Sequence, residues 1–313
     1  MGIKQYKKKM LKDAINIDKE ILGKEDKRIG VYIRKLGLYI KYFVKIYVMN
    51  KVVLPYFEIV ITTKCSLQCK DCGSIIPYYA NPYNIDLPEI EKDLENLFGF
   101  IDEVRLFGVI GGETFLYPEL DKVLNNLCSR KQVGSIRVFT NAVVKKTLSD
   151  TLAAQLKHPK VHISISNYGL PSTYTFYNYL KSEKFDVRMG PKMEWLDRGD
   201  MTCRNRDKEE LKRQFTACYM KTCKSILNGR FYYCPRSGHA HDLGLVETPQ
   251  NDYVILSGDK EGVRHKILYL YYGKDYLAAC NYCDVGTEKC VPIPAASQLT
   301  PEQKNEIVKR SMR

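Results

Sequence analysis

Five runs rich in β-branched and aromatic residues alternate with four amphipathic segments between residues 56 and 190. No other feature limits the fold as much. The runs are YFEIVITT (56–63), EVRLFGV (103–109), SIRVFTNA (135–142), KVHISIS (160–166) and FDVRMG (185–190). Between them stand LPEIEKDLENLFGF, YPELDKVLNNLCSRK, the segment around DTLAAQLKH, and STYTFYNYLKSEK. Strands separated by helices predict an α/β fold with a parallel sheet. Asp86-Leu87-Pro88-Glu89 reads as a helix start, with proline in the first turn and acidic residues near the positive end of the helix dipole. Four unusual groups, KCSLQCKDC, GGE, TNA and SNYG, fall at or just after the C-terminal ends of strands. In parallel α/β folds ligands bind along that edge.

The eleven cysteines point to metal binding. The first residues, MGIKQYKKKMLKD, are charged and carry no secretory pattern, and no apolar run approaches the roughly 20 residues of a membrane span. The expectation is a cytoplasmic protein, where an odd cysteine count argues against a disulfide framework. Ten of the eleven fall in two groups, at 65, 69, 72 and at 203, 218, 223, 234, 280, 283, 290. Cys128 stands apart on a helical pattern and reads as a small buried hydrophobe.

The first group, Cys65-Ser-Leu-Gln-Cys69-Lys-Asp-Cys72, offers three thiolates within eight residues. A closed structural zinc site takes four ligands, so it would need a distant fourth. A four-iron cluster held by three cysteines keeps one iron open to another ligand. The C-x3-C-x2-C spacing after the first strand resembles the signature of the radical S-adenosylmethionine (SAM) superfamily. That resemblance covers roughly residues 56–195 and implies a partial (β/α)6 TIM-type barrel, a [4Fe-4S] cluster on Cys65, Cys69 and Cys72, and SAM on the open iron. It implies cofactor contacts at Gly111, Gly112 and Glu113, at Thr140 and Asn141, and at Ser164 and Ser166. The chain departs from the family pattern at Asp71, where an aromatic often precedes the third cysteine, and at Thr114, where proline often follows GGE.

The second group resembles the twitch domain of radical SAM enzymes, a shortened relative of the SPASM domain. Cys218 and Cys234 flank Gly229, NGRFYYC (228–234) reads as a hairpin, and Cys280-Asn-Tyr-Cys283 adds a pair. The resemblance implies one auxiliary iron–sulfur cluster on Cys218, Cys234, Cys280 and Cys283, in a small C-terminal cysteine-rich α+β domain. Cys223 is the alternative ligand, and Cys203 and Cys290 have no assigned role. His239 and His241 read as an exposed strand pattern. The expected units are an N-terminal extension (1–55), the barrel (56–195), the auxiliary domain (196–292) and a C-terminal helix (293–313) capped by Thr300, Pro301 and Gln303.

The net charge of +13 does not indicate a nucleic-acid partner, because residues 1–51 carry fourteen Lys/Arg against five Asp/Glu. Residues 29–51 read as a helix with Lys27, Arg34, Lys41 and Lys45 in one stripe and apolar side chains over most of the rest. Two readings stand for it. It packs on the barrel, or it lies as a peripheral contact on the inner face of a membrane.

The resemblance implies reductive cleavage of SAM to a 5′-deoxyadenosyl radical that abstracts hydrogen from substrate. An auxiliary cluster that accepts a second electron would make the reaction a dehydrogenation, with a small hydroxylated, carbohydrate-like substrate and a flavodoxin- or ferredoxin-type electron donor. Arg188 and Glu194 are the candidate bases for the hydroxyl proton. The alternatives are crosslinking or epimerisation of a ribosomal precursor peptide, a redox-neutral epimerisation or dehydration, and a non-enzymatic iron–sulfur or zinc sensor.

Overall fold

The structure is a computed structural model that describes residues 3–22, 29–144 and 147–311. Its helices are α1 (Lys7–Leu22), α2 (Ile29–Phe43), α3 (Leu87–Phe100), α4 (Leu120–Ser129), α5 (Asp150–Leu156), α6 (Pro171–Ser182), α7 (Lys208–Ala217), α8 (Pro235–Asp242), α9 (Lys260–Tyr272) and α10 (Pro301–Ser311). Its strands are β1 (Val53–Thr62), β2 (Glu103–Gly111), β3 (Val133–Thr140), β4 (Val161–Ile165), β5 (Val187–Met189), β6 (Glu194–Leu196), β7 (Ser225–Leu227), β8 (Arg230–Tyr232), β9 (Tyr253–Ile255) and β10 (Pro292–Pro294).

Eight strands form one sheet in the order β5-β4-β3-β2-β1-β7-β8-β9, and β6 pairs with β10 in a separate ribbon. Strands β1 to β5 are parallel to their neighbours, each in step with the next. This is the α/β class that the alternation predicts, with the partial TIM-type sheet that the resemblance implies. A sixth parallel strand, β7, sits on the far side of β1, with Glu58 opposite Ser225. The β7–β8 hairpin turns at Asn228-Gly229, both at positive φ (49° and 74°), so glycine relieves the strain that a side chain would meet there. The 196–292 region therefore extends the main sheet through β7, β8 and β9.

β1 is buried over almost its whole length because elements cover both of its faces. Phe57 stacks on Phe231 and Tyr271 on one side, while α1 lies across β1 and β2. The helix starts follow local rules. Asp86 precedes α3 with Pro88 in its first turn, and Thr300 and Gln303 form the reciprocal cap of α10. Cys128 is buried on α4, as its pattern predicts.

In the N-terminal region α1 packs on the sheet, while α2 continues into a π-helical turn, Val44–Val48. Tyr42 and Ile46 are fully buried. Lys27 and the side chain of Arg34 lie outside the described residues. The His239–His241 pair corrects a sequence expectation. It lies on α8, not on an exposed strand, and His239 is buried because its helix packs beneath the hairpin.

Candidate active site

The three cysteines of the first group follow β1, where the chain leaves the sheet at Thr63. Cys69 is buried, and Cys65 and Cys72 are half-buried. Burial first, and the charge of Cys72 after it, push the Cys65 thiol up to about 12 and the Cys69 thiol up to about 11. Thiols that repel one another's charged forms lie close together, and a bound metal reverses that cost by taking them as thiolates.

Gly112 closes against this loop. A Cβ there would stand 2.4 Å from the Lys64 carbonyl oxygen and 2.9 Å from the Cys65 Cβ, so glycine is needed for the approach. The Gly112 amide donates to the Thr62 carbonyl at 2.9 Å and the Glu113 amide to that of Lys64 at 2.8 Å. Glu113 itself is buried behind the turn. Its carboxylate accepts from the Phe115 amide (3.0 Å), the Thr140 hydroxyl (2.7 Å) and the Asn141 amide (2.8 Å). It braces the ends of β2 and β3 together, and Thr140 shares that role.

Asn141 reaches the triad directly. Its Nδ2 lies 3.6 Å from Cys65 Sγ and 3.3 Å from Ser66 Oγ. Ser164 lies on β4 opposite Phe139 and Arg188, and the Ser166 amide donates to the Thr140 carbonyl at 2.9 Å. The cysteine loop, the Gly-Gly turn and the Thr-Asn turn thus meet at one sheet edge, and the donor set is three thiols beside backbone that no side chain obstructs.

No family model matches this chain, and no curated protein matches it. Similar solved structures include Streptococcus suis SuiB bound to precursor peptide SuiA, at 18% identity over 53% of this chain and 39% of that one, with a TM-score of 0.34. Native anSMEcpe with bound AdoMet and Cp18Cys peptide is 14% identical over 44% of this chain and 42% of that one, TM-score 0.35. BtrN in complex with AdoMet and 2-DOIA is 14% identical over 79% of this chain and 98% of that one, TM-score 0.41. The matches to SuiB bound to SuiA and to anSMEcpe span less than half of each of those chains, whereas a further SuiB structure is matched over 82% of its length at 12% identity and a TM-score of 0.36. Likeness at these scores carries no weight for function, which rests on the residues.

Four cysteines of the second group line one cavity: Cys218, Cys234, Cys280 and Cys283. Cys218 ends α7, Cys234 precedes α8 after the hairpin, and Cys280 lies in a short 3-10 turn that stops before Cys283. The turn is pinned to α7: Arg206 Nη1 donates to the Cys283 carbonyl at 2.6 Å and Gln214 Nε2 to the same oxygen at 2.7 Å. Burial first, with the charges of Cys234 and Cys283 adding to it, raises the Cys218 thiol to about 12. Cys223, the alternative ligand, does not line this cavity. It stands just before β7, and after burial the charges of Glu58 and then of Cys234 raise its thiol.

Among the described residues, no three His, Cys, Asp or Glu side chains converge closely enough for a single metal ion.

Arg188 and Glu194 are exposed, on the edge strand β5 and on the β6–β10 ribbon, and neither lines the cavities beside the cysteines.

Sequence reasoning passed over four other residues. Burial raises the Tyr168 hydroxyl, a bond with Ser166 opposes that, and the charges of Cys72, Cys69 and Cys65 add to it, so Tyr168 faces the triad. Arg198 Nη1 donates to the Asp71 carbonyl at 3.2 Å and also lines the second cysteine cavity. Arg236 lines that cavity and a neighbouring one of about 450 Å³ that Cys72 also borders. Gln298 Nε2 lies 3.3 Å from Cys69 Sγ. Tyr168 belongs to the SNYG group that marks the edge, whereas nothing in the sequence signals the other three.

Proposed function

We propose that this chain is a radical SAM enzyme that oxidises a small, hydroxylated, carbohydrate-like molecule. When bound, a cluster on Cys65, Cys69 and Cys72 with SAM supplies reductive cleavage and hydrogen-atom abstraction. The observation that carries the oxidative reading is the shared wall. Gly73, next after Cys72, lines the cavity of Cys218, Cys234, Cys280 and Cys283, and Arg236 borders both that cavity and the 450 Å³ one beside Cys72. A cavity of that volume is in the range of small-molecule sites. It carries Asp71, Asp197, Asp200, Thr202 and Tyr78, groups able to accept and donate hydrogen bonds to hydroxyls. A second iron–sulfur cluster on the four cysteines would stand beside it, placed to take an electron from substrate.

The chain's own residues orient and enclose. Asn141 steadies Cys65, Tyr168 and Trp195 meet edge to face at 5.3 Å over the triad loop, and Arg198 lies 5.7 Å from the Trp195 ring, joining the two cysteine groups. A soluble one-electron donor such as flavodoxin or ferredoxin would supply the reductant.

The test is anaerobic reconstitution of the wild type and a Cys65/Cys69/Cys72→Ala variant, with iron and sulfide counted and 5′-deoxyadenosine assayed under dithionite. About eight irons in the wild type, about four in the variant and deoxyadenosine from the wild type alone would support two clusters. About four irons in the wild type and none in the variant would remove the auxiliary cluster and the dehydrogenase reading. Absence of deoxyadenosine from the reduced, fully loaded wild type would remove the enzyme reading.

A further inference from the structure

Half of the large hydrophobic side chains exposed among the described residues lie in one short stretch. Eight of the sixteen fall between Leu36 and Met49, among them Leu36 (60% exposed), Ile40 (53%) and Val48 (71%). Tyr39, Phe43 and Tyr47 stack in a row along α2 and its π-helical turn, with ring centroids 6.1 and 4.9 Å apart. A contiguous apolar surface of this kind marks an interaction site.

The inner side of the same element is firmly held. Tyr42 donates to Asp18 at 2.6 Å, Arg105 bridges Asp18 and Glu103 at 2.8 and 2.6 Å, and Lys45 pairs with Glu103. With Ile46 also buried, the outward face is fixed by the fold, since rotating the helix inward would strand these charges.

Charge selects the occupant. Residues 29–57 contain no Asp or Glu, while Arg34, Lys35, Lys41 and Lys51 fall among them beside Lys45, which Glu103 already pairs. The Lys7 ammonium lies 5.6 Å from the Tyr47 ring centroid, which sets α1, with exposed Lys4, Lys8 and Lys12, beside the aromatic row. A second copy of the chain would bring the same cations against each other. An anionic lipid surface offers hydrocarbon to the apolar row and charge to the lysines, each worth about 1 kcal/mol near such a surface. We propose that α2 and the Val44–Val48 turn dock this protein on an anionic bilayer surface, with Tyr39, Phe43 and Tyr47 at the headgroup level.

The full-length protein would be sedimented with vesicles of phosphatidylcholine alone and with about 30% phosphatidylglycerol, beside a Tyr39→Ser/Phe43→Ser/Tyr47→Ser variant. The wild type should pellet at least about tenfold more with the anionic vesicles, weaken as salt rises, and lose that binding in the variant. Circular dichroism and retained iron would show that the variant still folds. Absence of sedimentation with anionic vesicles at low salt, or equal sedimentation of the variant, would overturn the proposal. So would a dimer of the wild type that the variant converts to a monomer while vesicles bind neither. None of these outcomes depends on the enzymatic reading.

Discussion

Gln298 and Cys69 are 229 residues apart in sequence, yet the Gln298 side-chain amide lies 3.3 Å from the Cys69 sulfur. Its carbonyl oxygen accepts the Gln68 amide at 2.7 Å, and backbone bonds from Lys70 to Ser297 and from Leu299 to Gln68 lay the 297–299 segment along the triad loop. The C-terminal segment is therefore part of the first cysteine site.

Replacing Gln298 by Ala removes one donor to sulfur and one acceptor for a loop amide. The loss should destabilise the fold by about 1–2 kcal/mol. A hydrogen bond to a cluster thiolate raises its reduction potential, so Gln298→Ala should make the first cluster harder to reduce while keeping its iron. A potentiometric titration followed by electron paramagnetic resonance checks this, and an unchanged potential would limit Gln298 to holding the loop.

Two half-buried cysteines of the second group, Cys280 and Cys223, should separate on iron content. Cys280→Ala removes a side chain that lines the four-cysteine cavity and should lower iron to about half that of the wild type. Cys223→Ala should leave iron unchanged, because Cys223 does not line that cavity. Iron and sulfide analysis of both variants decides it, and the reverse pattern would reassign the ligand.

Gly112→Ala places a methyl 2.4 Å from the Lys64 carbonyl oxygen, a contact that backbone must move to relieve. Overpacking of this kind costs about 1–3 kcal/mol, and here the shift falls on the residue before Cys65. The expected result is a folded protein, by circular dichroism, whose first cluster is lost several-fold faster to a chelator than that of the wild type.

His239 gives the chain an acid-sensitive element. Burial lowers its pKa from 6.5 to about 4, with Asp242 opposing. Tyr79 donates to Asp242 at 2.7 Å and meets His239 Nδ1 at 2.9 Å, so the imidazole proton sits on Nδ1. The folded state binds fewer protons than the unfolded one between these values. Its stability is therefore fully present above about pH 6.5 and is lost as pH falls toward 4, by up to about 3 kcal/mol. His239→Asn keeps a donor for Tyr79 and should flatten that dependence in anaerobic urea unfolding at pH 7 and 5.5. An unchanged slope would place the acid sensitivity elsewhere.

Much of this molecule is legible along the chain, because its signals are local. Alternating periods place β1 to β5 and the helices between them, the capping residues fix the starts of α3 and α10, and Asn228-Gly229 marks the hairpin. The C-x3-C-x2-C spacing brings three sulfurs together within eight residues whatever the rest of the chain does. Other relationships have no local signature. Only tertiary structure put β7 against β1, gathered Cys218, Cys234, Cys280 and Cys283 while leaving Cys223 aside, turned Arg188 and Glu194 outward, and laid Gln298 on Cys69. Those contacts join residues tens to hundreds of positions apart, and their partners are chosen by packing and by the need of buried polar groups for hydrogen bonds. Spacing along a chain determines which side chains share a turn; burial decides which share a site.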